Sequence, residues 1–129
     1  MIAAVETVAG VLLVDVESES VIGEGEPVTP PERPEVELPR VVAAARAGPT
    51  VVAVVDRRPP LMLSNDGGAT WREAGGGLPP GFAIAVSEDE PDRMLYAARN
   101  RIYVSTNGGI FWRSLSFELP DVLSVAWLD

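Results

Sequence analysis

Ser64-Asn65-Asp66-Gly67-Gly68-Ala69-Thr70-Trp71 is followed, 41 residues later, by Ser105-Thr106-Asn107-Gly108-Gly109-Ile110-Phe111-Trp112. In each stretch a Ser leads into Asp-Gly-Gly or Asn-Gly-Gly, and a Trp follows. A glycine pair of this kind between strands specifies a hairpin turn at positive φ, which glycine adopts without steric cost. Asp66 or Asn107 can accept backbone N–H bonds inside such a turn. The recurrence at one place in two units assigns these residues to structure rather than to catalysis or metal binding. Trp71 and Trp112 are expected to begin an outer strand and to pack between neighbouring sheets, burying roughly 150–250 Å² each.

The same register extends along the chain. Leu-Pro closes a segment at Leu38-Pro39, Leu78-Pro79 and Leu119-Pro120, spaced by 40 and 41 residues. Three units follow, at about 2–39, 41–79 and 82–120, with the first strand of a fourth in 121–129. The third unit reads as FAIAVSE, a charged turn, MLYAAR, RIYVS, TNGG and IFWRSL. The second reads as VVAAARA, TVVAVVD, LMLS, NDGG and ATWREA. Valine, isoleucine, tyrosine and tryptophan fill the runs while Gly, Pro, Asn and Asp fill the gaps. No stretch keeps a 3.6-residue apolar period beyond two turns, so the expected fold is all-β, with short antiparallel strands.

The first strands choose among all-β architectures. VVAAARA, FAIAVSE and VLSVAWL are apolar on both faces, with small residues such as Ala83 and Ala85 recurring on one of them. A lone meander would keep one wet face. Both faces are therefore covered, as where small sheets stack and converge. Four-stranded sheets of about 40–45 residues stacked radially make a β-propeller.

With these residues in view, the stretch 64–71 resembles the Asp-box, Ser-x-Asp-x-Gly-x-Thr-Trp, of BNR-repeat propellers at every defining position. The copy at 105–112 departs from it at Asn107 and Phe111, so fewer hydrogen bonds are expected in its turn. The resemblance covers 41–129, including the run-up AVSEDEPDRMLYAARNRIYVS; residues 1–39 share only length, strand order and the Leu-Pro ending. Such repeats occur in sialidases, xyloglucanases, sortilin-type receptors and a photosystem assembly factor. The resemblance implies a structural box made of Ser64, Asp66, Gly68, Thr70 and Trp71, and in the second copy of Ser105, Asn107, Gly109 and Trp112.

Composition removes several functions. The 129 residues contain no Cys and no His, which excludes disulfides, a thiolate nucleophile, a Cys/His zinc site and Ser-His-Asp chemistry within one chain. The net charge of −9 opposes binding to a phosphate backbone. Acidity is uneven, with a net −8 over residues 1–39 and −1 over the remainder. Most of it lies in Glu17 to Pro39, whose five prolines read as a mobile or extended solvated loop rather than a helix, with a cation- or partner-steering patch as the other reading. The sequence calls for no cofactor and no metal. No basic, apolar leader and no span of about 20 apolar residues is visible, so no membrane association is expected and a cytoplasmic location is the default, a processed exported protein being the other option.

A sialidase-like reaction requires an arginine triad and a Tyr-Glu nucleophile pair. Tyr96 and Tyr103 are the two tyrosines, both adjacent to core strands, and the acids fall mainly in turns, as Glu88, Asp89, Glu90 and Asp92 do. No catalytic residue is assigned. All ten basic residues are Arg, which fits a GC-rich composition; Arg57 with Arg58, or Arg99 with Arg101, could instead belong to a binding face. Three blades do not close a ring, since propellers have roughly four to eight. The expectation is a homo-oligomer associating head to tail, its terminal strand completing a partner's sheet, unless the chain is part of a longer propeller. Two function classes follow: a non-catalytic scaffold that binds protein partners through one rim, or a carbohydrate-binding or glycosidase-related propeller.

Overall fold

β-Branched and alanine-rich runs separated by Gly, Pro and Asn turns form twelve short strands and no helix in the computed structural model, which describes residues 1–29 and 31–128. In chain order these are β1 (Ile2–Thr7), β2 (Gly10–Asp15), β3 (Ser20–Gly25), β4 (Val41–Ala47), β5 (Thr50–Val55) and β6 (Leu61–Ser64). They continue with β7 (Arg72–Ala74), β8 (Ala83–Val86), β9 (Met94–Ala97), β10 (Ile102–Ser105), β11 (Arg113–Ser114) and β12 (Val122–Trp127). They pair into three four-stranded antiparallel sheets, β12-β1-β2-β3, β4-β5-β6-β7 and β8-β9-β10-β11. The all-β, propeller-like array of three blades is therefore present.

The second and third sheets are continuous in sequence and follow the repeat. The first is not. The reading of 2–39 as four strands and of 121–129 as an extra strand does not hold: residues 2–25 supply three strands, and β12 supplies the fourth. Ala3 pairs with Trp127, Ala4 with Ala126 and Val5 with Val125, so the terminal strand completes its own chain's sheet and not a partner's. The physical reason is that β1 offers a free edge, and β12, with Val122 and Val125 buried, needs neighbours on both faces. Asp129 lies outside the described residues.

The three sheets stack in the order second, third, first, with β8 lying against both β4 and β12. Small side chains allow this convergence, as Ala83 and Ala85 are both buried. Between the third and first sheets lie Leu95, Ile102, Val104 and Leu115 from one side and Ala3, Val5, Val14 and Val16 from the other. Between the second and third lie Val52, Val54, Leu61 and Leu63 against Ile84, Met94 and Tyr96. Each fully buried aliphatic side chain contributes roughly 1.5–3 kcal/mol. A polar clasp ties the third sheet to the first. Glu19, in the β2–β3 turn, accepts from the Ser116 amide at 2.9 Å and pairs with Arg113 at 3.1 Å, while Arg113 also donates to the Val16 carbonyl at 3.1 Å.

Of the two readings of the acidic segment, mobile or extended, the described residues show the extended one. Ser20–Gly25 is β3, and the non-strand stretch from 34 to 38 lies along the second sheet, where Val36 and Leu38 pack against Ala53, Val55 and Met62. Among the described residues, no group of three or more His, Cys, Asp or Glu is placed to hold a metal ion, and no helix is long and apolar enough to cross a membrane.

Candidate functional site: two hairpins and an outer sheet face

The hairpin that leaves β6 is organised by one serine and one carboxylate. Ser64 Oγ donates to Asp66 Oδ1 at 2.7 Å and accepts from the Gly68 amide at 2.8 Å and the Asp66 amide at 3.3 Å. Thr70 donates twice to Asp66, from its amide at 2.9 Å and from its hydroxyl at 2.6 Å. These donors, the Thr70 hydroxyl first, hold the Asp66 carboxyl at about 2, below its ordinary 3.8. Both carboxylate oxygens are thus engaged in shaping the turn. Gly67 and Gly68 take φ of 71° and 97°, values that would strain any side chain.

The hairpin that leaves β10 repeats this with fewer bonds. Ser105 Oγ donates to Asn107 Oδ1 at 3.0 Å and accepts from the Gly109 amide at 2.9 Å, and the Phe111 amide donates to Asn107 Oδ1 at 2.9 Å. Phe111 has no hydroxyl to add the last bond. Ile110 and Phe111 are 75% and 77% exposed, so the predicted outer strand IFWRSL shrinks to Arg113–Ser114. The turn bonds run through residues 105–111, which leaves 106–111 out of the ladder. Both hairpins are pinned to the same neighbouring loop of their own sheet: Gly67 donates to the Pro49 carbonyl at 2.9 Å, and Gly108 to that of Asp92 at 3.0 Å.

The two tryptophans occupy corresponding places with different company. Trp112 packs between the second and third sheets, its Nε1 donating to the Gly109 carbonyl at 2.9 Å and its ring 6.1 Å from that of Tyr96, edge to face. Trp71 packs on the face of the second sheet that, among the described residues, has no neighbouring sheet, beside Ala53, Val55 and Met62. Val36 and Leu38 pack on the same cluster. In the 41-residue register Met94, Tyr96, Tyr103 and Trp112 correspond to Ala53, Val55, Met62 and Trp71. The uncovered face of the second sheet is thus the counterpart of the face through which the third sheet stacks.

The two tyrosines pair across β9 and β10, with ring centroids 6.1 Å apart. Tyr96 is fully buried, and its hydroxyl donates to the Pro79 carbonyl at 2.6 Å. Its ring lies so close to Gly81 that a Cβ there would sit 2.3 Å from Tyr96 Cζ. Burial, with a smaller contribution from Tyr103, pushes this phenol up to about 12 from 10.0. Three of the four arginines considered for a binding face are paired: Arg57 with Glu73 at 3.6 Å, Arg99 with Asp121 at 3.3 Å and Arg101 with Glu118 at 3.1 Å.

The sequence reading missed Val36 and Leu38, whose signal was their alternation with Glu35 and Glu37. It also missed the approach of Tyr96 to Gly81, for which the sequence gives no signal.

No family model matches the chain, and no curated protein matches it. Among solved structures the chain is similar to the GH74 enzyme of Niastella koreensis, a β-propeller enzyme, with a TM-score of 0.52 and 25% identity. The similarity covers 92% of this chain but only 18% of that one, so the chain spans less than a fifth of the enzyme's length and resembles it as a propeller-type array.

Proposed function

We propose that this chain is a non-catalytic propeller module of the Asp-box type, an interaction scaffold whose ring is closed by blades from a second copy. One observation carries the reading. The outer face of the second sheet, with Ala53, Val55, Met62 and Trp71, is the counterpart of a face that the third sheet uses for stacking, and no sheet covers it. The hairpin bonding supports the Asp-box assignment, since Asp66 spends both oxygens on Ser64 and Thr70 donors. The buried, hydrogen-bonded Tyr96 argues against a tyrosine nucleophile.

At the other end of the stack, Ala4, Glu6, Val11, Ser124 and Ala126 line the outer face of the first sheet. Docking that face on the second sheet of another copy is a heterologous contact, which either closes a ring or grows a filament. Two copies would give six blades. Light scattering of the purified chain tests this: a discrete multiple of the 13.7 kDa chain mass supports it, and a single monomeric species up to high concentration refutes spontaneous closure of the ring.

The similarity to a GH74 enzyme favours one other reading, a carbohydrate-binding or glycosidase-related propeller segment. A glycan array decides between the two. Reproducible binding of any oligosaccharide moves the assignment to the second reading; an empty array with an oligomeric protein leaves the scaffold.

A further inference from the structure

We propose that residues 33–38 form a placeholder strap, seated on the outer face of the second sheet in the isolated chain and leaving it when the first sheet of a second copy docks there. This rests on the ring reading above and adds the element that gates it.

The strap imitates a strand without being one. Pro34, Val36 and Leu38 are half-buried while Glu35 and Glu37 are exposed, the alternation of an extended chain laid on a surface. Yet among the described residues, 31–39 make one hydrogen bond to the sheet, from Arg33 Nη2 to the Val41 carbonyl at 3.4 Å. Prolines at 31, 34 and 39 remove amides that a ladder would need. Attachment therefore depends on two aliphatic side chains, Val36 and Leu38, on a face whose counterpart in the third sheet holds a whole neighbouring sheet.

The occupant that would replace it follows from the repeat. The third sheet's face of Ile84, Met94 and Tyr96 is met by the side of a sheet that carries Val52, Val54, Leu61 and Leu63. On the first sheet, the side that points away from the third carries Ala4 and Val11, both buried, with Val28 of the same connection over them. The connection from β3 to β4 thus touches both unstacked faces, with Val28 at one and Val36 and Leu38 at the other. A second copy can present its first sheet only where these side chains have withdrawn.

Charge reinforces the block. Glu6 lies on the approaching face, and Glu35 and Glu37 point outward from the strap. With the strap seated the two surfaces carry the same sign and repel, an effect that salt screens within about 8–10 Å.

The test uses the full chain and sedimentation velocity across concentration, with circular dichroism to verify folding. Val36→Ser with Leu38→Ser is expected to tighten self-association tenfold or more. Glu35→Gln with Glu37→Gln, both exposed and harmless to the core, is expected to tighten it about threefold at low salt and not at high salt. Adding Met62→Arg on the docking face to either pair should abolish the gain. If the serine variant loses its β signature, the glutamine variant decides alone. A wild type that is already oligomeric with the same affinity as both variants overturns the strap and leaves the ring. Folded variants that stay monomeric together with the wild type overturn both.

Discussion

The hairpins at 64–71 and 105–112 are built on one pattern and differ in what lies beside them. Around Asp66 five hydrogen bonds of the Ser64 and Asp66 side chains shape the turn, and the tryptophan that follows packs on the same buried cluster as two strap side chains. Around Asn107 three such bonds suffice, and the tryptophan is wedged between two sheets with its Nε1 satisfied. The better-bonded turn belongs to the sheet whose tryptophan side meets no other sheet among the described residues, and the less-bonded one is supported from outside by a neighbour. Local hydrogen bonding and tertiary packing substitute for each other at equivalent places in a repeat, so an equal motif does not mean an equal contribution.

The tryptophans give the widest separation. Trp112→Ala should cost about 3 kcal/mol, as it empties a contact between two sheets, and Trp71→Ala about 1–2 kcal/mol, as its cover is partial. Urea unfolding of the two variants measures the difference, and equal costs would show that the strap covers Trp71 as well as a sheet would. The glycines come next. A Cβ on Gly109 would lie 2.9 Å from Leu63 Cδ1 in the second sheet, whereas on Gly68 the nearest atom is Trp71 Cζ2 at 3.5 Å. Both positions have positive φ, so both alanine variants are strained, but Gly109→Ala should cost about 1–2 kcal/mol more through overpacking.

The reverse change sharpens the comparison further. Asn107→Asp with Phe111→Thr supplies the missing hydroxyl bond and removes an exposed ring; a gain of about 0.5–1 kcal/mol is expected from the melting curve. The smallest effect is in acid. Because the folded Asp66 carboxyl is held at about 2 against 3.8 when free, its contribution is complete above about pH 4 and is lost as pH falls toward 2. Asn107 has no titratable carboxyl and adds no such pH dependence. Asp66→Asn should flatten that part of the plot of melting temperature against pH, and an unchanged profile would show that the Thr70 bonds do not bias the ionised form.

Sequence made the second and third sheets legible because each is contiguous and carries its turn chemistry at a fixed offset: Val41–Ala47 and Leu61–Ser64 have the bounds that their residue patterns suggest. The first sheet was not legible in the same way. Its inner strand lies at the opposite end of the chain, and periodicity along a sequence says nothing about which edge a distant strand will join. The acidic stretch was legible as extended but not as seated on a sheet, since composition averages over Val36 and Leu38, two apolar residues among many charges and prolines. Ile110 and Phe111 read as strand on propensity alone, yet the hairpin's own hydrogen bonds keep them out of the ladder. The candidate site was visible as chemistry, in Ser64, Asp66 and Thr70, but the meaning of the face beneath Trp71 needed the stacking order.

The pairing of Ala3 with Trp127 brings the two ends of the described chain side by side in one ladder. A short loop from β12 to β1 would therefore connect neighbours, and a new opening placed in the β3–β4 connection would fall where few backbone bonds are made. Such a rearranged polypeptide would run through three complete blades in succession, each contiguous in sequence. Its folding could then be compared with that of the order found here, in which the first sheet cannot be completed until β12 joins β1.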